Sequence, residues 1–314
     1  MTDSRQLDLF DAPEPHPYPA PTPLPALARF VIAALWCMVV FWVSGSVYAF
    51  FPQRNLLPGL LFRLIACLLT AAGFVLFLRV LDYNLNPIPV ALGLPLDSIA
   101  ARQSVVGFLL GGALMTTVAA AIAAFGTISL HLHMGRYAWL RFAAVALLLL
   151  AGAMMEELSF RGYPFQKLTE AMGGFWAVVT LSALFGAVHL WNPDSQGILS
   201  WGFFNTLAVG VLFALARIRT GSLWFCFGLH YGWNLFQGAI FGLPVSGLRE
   251  FATVITATVR GSASLTGGDY GPEASATCAV VLLVAFPVLW MLTSPRNIQH
   301  RPAFLSQTSN IKID

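Results

Sequence analysis

The chain of 314 residues is 57% hydrophobic and only 10% charged, and its mean hydropathy is +0.73. Soluble domains carry about a quarter charged residues, so a soluble globular protein is excluded and an all-α, polytopic transmembrane bundle is expected, with the lipid bilayer as its surroundings. The net charge of +3, without any Lys/Arg-rich run, excludes nucleic acid as a partner.

Residues 1–26 are polar and proline-rich, with Asp3, Asp8, Asp11 and Glu14 against the single base Arg5. That pattern lacks the basic start of a signal peptide and reads as a disordered cytoplasmic tail. A bilayer span needs roughly 20 apolar residues. About eight runs qualify, at 27–50, 57–79, 104–130, 138–160, 175–191, 197–216, 221–243 and 277–294, the fourth extending toward Pro164. They define one membrane domain over 27–294, followed by a cytoplasmic tail at 295–314.

Eleven of the 17 Lys and Arg fall on the side of the termini and six on the other. The positive-inside rule then places both termini in the cytoplasm. Arg217 and Arg219 read as cytoplasmic anchors, and Arg63 and Arg141 lie within or beside spans. The short loops suit a bacterial inner membrane. The connection at 244–276 is rich in Gly, Ser and Thr; a floppy linker fits it better than a lid over an entrance. Four dispersed cysteines with no C-x-x-C pair indicate neither a disulfide framework nor a thiolate metal site.

Chemistry concentrates where lipid makes it costly. Glu156 and Glu157 end the apolar run FAAVALLLLAGAMM, and Arg161 follows four residues after Glu157. Ionisable groups inside spans are functional candidates by default. Glu157 and Arg161 at i,i+4 share a helix face, with the acid on the favourable N-terminal side. Glu156 is turned about 100° away, so only one of the two carboxylates meets Arg161. Two later spans hold histidines, with Phe185 one turn before His189 and Asn234 one turn after His230.

Depth allows these groups to meet. From the cytoplasmic helix ends, Glu156 lies roughly 12 Å in, His189 roughly 21 Å and His230 roughly 13 Å, and tilt closes the difference. A carboxylate and an imidazole can take a proton from one water, and a second imidazole with a carboxamide can donate to an oxyanion. That set suits hydrolysis. Ser159 lies near the glutamates but has no base beside it.

Glu156-Glu157-x-x-x-Arg161, Phe185-x-x-x-His189 and His230-x-x-x-Asn234, in that order on separate spans, resemble the three motifs of the CAAX-processing and bacteriocin-processing (CPBP, or Abi) family of intramembrane proteases. The type II CAAX prenyl endopeptidase belongs to that family. The resemblance covers 156–234. It implies an eight-helix membrane fold and endoproteolysis of a membrane-associated peptide or protein by a glutamate-activated water. It makes Glu156 the base, His189 its partner on the water, and His230 with Asn234 the oxyanion site. Glu157 and Arg161 would order the site or hold the substrate backbone. The resemblance leaves the cofactor open: no H-E-x-x-H pair is present, none is required by a water-and-glutamate mechanism, and zinc remains an alternative. Two other functions stay in view. One is a non-catalytic membrane scaffold or immunity protein of the same fold, which has no need of Glu156, His189, His230 and Asn234 together. The other is a proton-coupled transporter, which needs polar residues on several spans, whereas the first three are nearly free of them.

Overall fold

The computed structural model describes residues 24–49, 56–83, 87–124, 128–133, 135–249 and 251–293. Apart from residues 24–26, the expected N-terminal tail lies outside the described residues, as does the tail at 295–314. The elements in chain order are α1 (Ala26–Ala49), α2 (Leu56–Val80), the short α3 (Ile88–Ala91), α4 (Ser98–Ala124), β1 (Ile128–Leu132), α5 (Ala138–Arg161), α6 (Tyr163–Met172), α7 (Gly174–Val188), α8 (Trp201–Thr220), α9 (Leu223–Asn234), β2 (Ile255–Val259), α10 (Ala263–Thr266) and α11 (Ala276–Leu292). A π-helical turn, Leu235–Ile240, continues α9.

The protein is a polytopic helical membrane bundle. Among the described residues, six helical stretches are long and apolar enough to cross a bilayer. The seventh and eighth apolar runs expected from sequence are shorter as helices. One is α9 with its π turn and the other is the 17-residue α11. The fourth run does not pass unbroken toward Pro164. It stops at Arg161, Gly162 takes a non-helical conformation, and Pro164 sits in the first turn of α6, where its missing N–H is harmless.

Two expectations fail in the segments between helices. The run 104–130 is not one span: α4 ends at Ala124, and β1 pairs antiparallel with β2, Ile128 opposite Val259. β1 alternates the apolar Ile128, Leu130 and Leu132 with Ser129 and His131, a period-2 signal masked by the apolar run before it, and four of the five residues of β2 are β-branched. The connection at 244–276 is no floppy linker. It contributes β2, and Phe251, Tyr270 and Ala274 are buried. Arg249 also pairs with Asp269 within it. Arg217 likewise is no surface anchor. It is fully buried, and its Nε donates to the Arg161 carbonyl at 3.3 Å, at the end of α5. Arg219 does lie at a helix end, stacked 3.6 Å from the Trp290 ring.

The tightest seam joins α4 and α9. Gly107 and Gly111 on α4 face the carbonyls of Phe225 and Leu229, while Gly228 and Gly232 on α9 face those of Ser104 and Phe108. A Cβ at any of the four would overlap a backbone oxygen. Small residues four apart on both partners let backbones touch, the usual means of helix association where lipid removes the hydrophobic driving force. His230 lies midway between Gly228 and Gly232, about 200° around the helix from each. The seam therefore turns His230 away from α4 and toward α5.

At the end of the bundle where α1 starts, Arg29 pairs with Asp82, and Lys167 lies 2.9 Å from Asp82 and 2.7 Å from Glu170. This knot ties α1, α2 and α6 together.

Gly232→Leu is expected to lower the thermal melting temperature in detergent by several degrees, because overpacking against backbone costs about 1–3 kcal/mol or more. Gly135→Ala, where a Cβ meets nothing within 4 Å, should leave it unchanged. Equal melting temperatures for the two variants would show that the seam does not hold the bundle.

Candidate functional site

Glu157 is fully buried, and its Oε1 accepts from Arg161 Nη1 at 3.2 Å and from His230 Nδ1 at 2.9 Å. One carboxylate therefore joins α5 to α9. Arg161 is 1% exposed, and its Nη2 donates to the Gly210 carbonyl on α8 at 3.1 Å. Its Cζ lies over three rings, 4.4 Å from that of Phe185, 5.3 Å from Phe213 and 5.7 Å from Phe160. The guanidinium is thus surrounded by π faces, one carboxylate and one carbonyl, which together replace the water it has lost.

Glu156 points elsewhere. Its carboxylate lines a cavity of about 650 Å³ shared with His189, His230 and Asn234. Its Oε2 is 3.8 Å from His230 Nε2, too long for a direct hydrogen bond and within the reach of a bridging water. Phe160, Phe185 and Phe213 supply apolar wall. The structure thus brings Glu156, His189, His230 and Asn234 to one cavity and sets Glu157 and Arg161 behind it, against His230.

The ring orientations follow from their partners. His189 caps the end of α7, and its Nδ1 is 2.7 Å from the Phe185 carbonyl. A carbonyl only accepts, so Nδ1 carries the proton and Nε2 keeps its lone pair. Phe185, 4.7 Å away, stacks obliquely on the same imidazole. For His230, Nδ1 donates to Glu157 and leaves Nε2 toward Glu156. Both imidazoles are held from behind by an oxygen, as ring nitrogens that do chemistry usually are. Among the described residues, no three His, Cys, Asp or Glu side chains form a metal-holding group. Ser159 Oγ donates to the Met155 carbonyl at 2.8 Å, which ties it to its own helix.

Sequence reasoning missed the far wall. Glu273, from the 244–276 connection, lines the same cavity. It accepts from Gln237 Nε2 at 2.8 Å, from the Ser246 N–H at 2.8 Å and from Ser246 Oγ at 3.0 Å. Ser246 is a non-glycine residue at φ 47°, so the carboxylate helps hold a strained turn. Gln237 belongs to the π turn, a local widening frequent at functional sites. Asn205 of α8 donates to the Glu273 and Ser275 carbonyls at 2.7 and 2.8 Å. Asn205 and Gln237, polar residues inside apolar runs, were the available signal; Glu273 in a loop gave none.

Residues 137–236, roughly a third of the chain, match the family model described as "Type II CAAX prenyl endopeptidase Rce1-like". That interval holds all three motifs and bears out the resemblance they carry. The uncharacterized protein YyaK of Bacillus subtilis is 30% identical over 161 residues, 49% of this chain and 49% of that protein. The chain therefore spans about half the length of this curated relative. No solved structure matches.

Arg161→Ala strands the Glu157 carboxylate in an apolar interior, and removing one partner of such a pair costs about 3–5 kcal/mol. A large drop in melting temperature is the expected result. Activity lost at an unchanged melting temperature would instead place Arg161 on the substrate.

Burial holds the Glu273 carboxyl above its ordinary value of 4.5, offset in part by the Gln237 and Ser246 donors. The folded chain then binds this proton more tightly than the unfolded chain. Its contribution to stability is full below 4.5 and is lost as pH rises through the raised value. Compared with Glu273→Gln, the unmodified protein should gain melting temperature as pH falls through that window. A difference between the two that does not vary with pH would contradict this account.

Proposed function

We propose that the protein is an intramembrane endopeptidase that hydrolyses a peptide bond of a membrane-associated protein or peptide with a water activated by Glu156. The observation that carries the reading is Glu156 itself. It is a carboxylate within the bundle that no Lys or Arg neutralises among the described residues, with His230 Nε2 3.8 Å away, lining a cavity where two oriented imidazoles and a carboxamide also arrive. The family-model match to a prenyl endopeptidase supports the same reaction class.

The steps follow from the donors and acceptors. Water sits between the Glu156 carboxylate and the lone pair of His189 Nε2. Glu156 takes its proton as the oxygen attacks the scissile carbonyl. The negative charge that develops on the carbonyl oxygen is met by the Asn234 carboxamide and by His230 in its protonated form, whose charge Glu157 balances. The C–N bond breaks, and Glu156 returns its proton to the departing amine. Glu157 and Arg161 act through His230, which they hold in orientation. Excess Lys and Arg on the side of the termini supports a cytoplasmic placement of both, in a bacterial plasma membrane.

The test is cleavage of membrane-anchored peptides by purified protein in detergent or nanodiscs. Glu156→Gln should cut turnover by about 10²-fold or more with its melting temperature kept. Asn234→Ala should lower kcat by about 10²- to 10³-fold with KM little changed, as expected of a donor used in the transition state. Near-normal cleavage by Glu156→Gln would refute the assignment. One tightly held zinc per chain, required for activity and lost on mutating His189 or His230, would replace the glutamate mechanism by a metal-assisted one.

A further inference from the structure

One charge on the cavity wall has no part in the steps above. Arg63 projects from α2 into the cavity that holds Glu156, His189, His230 and Asn234. Its guanidinium crosses α5 at Gly152, where a Cβ would come within 2.7 Å of Nη1. The Phe251 ring lies 5.5 Å from its Cζ. Among the described residues, Arg63 has that ring contact and no ion pair or hydrogen bond. Arg63 is half-buried, and the three fully or nearly buried arginines of the bundle are engaged: Arg161 by Glu157, Arg29 by Asp82 and Glu170, and Arg217 by the Arg161 carbonyl. Arg63 is instead a permanent cation with five N–H donors directed at an open space inside an apolar bundle. Such a group is unfavourable until an anion joins it, and intramembrane cations that line cavities mark the path of a ligand.

Gly152 fixes where that anion sits. It lies one turn before Glu156 on α5, a rise of about 6 Å, or about two residues of extended peptide. We propose that Arg63 binds a carboxylate of the substrate about two residues from the scissile bond and so sets sequence specificity. The planar guanidinium fork matches a carboxylate through two parallel hydrogen bonds. The Phe251 ring and the space left by the missing side chain of Gly152 hold the fork in place. The carboxylate is supplied either by a free chain terminus or by an acidic side chain. This specificity role rests on the endopeptidase reading, whereas the binding it requires does not depend on turnover.

Binding is therefore measured with full-length Glu156→Gln protein in phosphatidylcholine nanodiscs. The probe is a dye-labelled apolar octapeptide in three forms: free C-terminal carboxylate, C-terminal amide, and C-terminal amide with one Asp near that end. At least one carboxylate-bearing form should bind about ten- to a hundredfold tighter than the plain amide, the range of a charge-assisted hydrogen bond. Adding Arg63→Gln should erase that difference and leave the melting temperature unchanged. Preference for the free terminus alone identifies a terminal carboxylate; preference for the Asp form alone identifies a side chain. Equal binding of all three forms, or a preference that survives Arg63→Gln, overturns the proposal. So does a preference abolished by phosphatidylglycerol in the nanodisc, which would make the anion a lipid phosphate. Cleavage by the protein with Glu156 intact is scored separately. Preference without any cleavage refutes the endopeptidase reading while the Arg63 site stands.

Discussion

A single buried carboxylate oxygen organises this molecule. Glu157 Oε1 receives Arg161 from its own helix and His230 from α9, and Arg161 carries the link on to α8 through the Gly210 carbonyl. In a low-dielectric interior each of these partners is poor alone. An unpaired guanidinium or carboxylate there is strongly destabilising, and together they compensate one another. Three helices are thereby locked in rotation as well as in distance. The rings of Phe160, Phe185 and Phe213 pack on the same guanidinium. Phe185 also supplies the carbonyl that fixes the His189 ring. Both imidazoles thus trace their orientation to one charge cluster that does not itself reach the cavity.

The glycine seam between α4 and α9 is the complement of that cluster. It pulls one face of α9 flat against a neighbour with no side chain between, so His230 and Asn234 must face the other way. A seam made of backbone contact tolerates little sliding, because every Cβ-sized change meets a carbonyl. Positioning within about half an ångström, which charge-stabilising donors need, is more natural for a helix clamped in this way than for one resting on flexible side chains.

The spacings in the sequence made much of this legible. An acid and an arginine at i,i+4 form a pair on one face, and the neighbouring acid must point away; both statements follow from 100° per residue and hold in the coordinates. The apolar runs gave the helices to within a few residues in most cases. What escaped was everything that depends on partners distant in sequence. The glycine pairs Gly107/Gly111 and Gly228/Gly232 were written in the chain, but only their mutual contact gives them meaning. Strand β1 was absorbed into a hydropathy run that does not distinguish period 2 from period 3.6. The 244–276 connection looks like a linker by composition. Its order comes from burial of Phe251 and Tyr270 and from the Glu273 contacts to Gln237 and Ser246, none of which local composition reports.

That connection changes how the cavity must be understood. A cavity walled by helices alone, with a mobile linker at its mouth, would fill with bulk water and screen its own charges. Here Val245, Ser246, Leu248 and Phe251 form part of the wall, and Glu273 holds their turn. Water is then admitted to a confined space whose polar groups are few and fixed. Coulomb interactions are stronger there at any given distance, since the effective dielectric is well below that of water. Opposite charges on the wall, Glu156 and Arg63, would in the proposed reaction act on separate parts of one bound chain. The proposed hydrolysis would require that a single water be held and most others kept out, and an ordered segment packed over the helical site suits that exclusion.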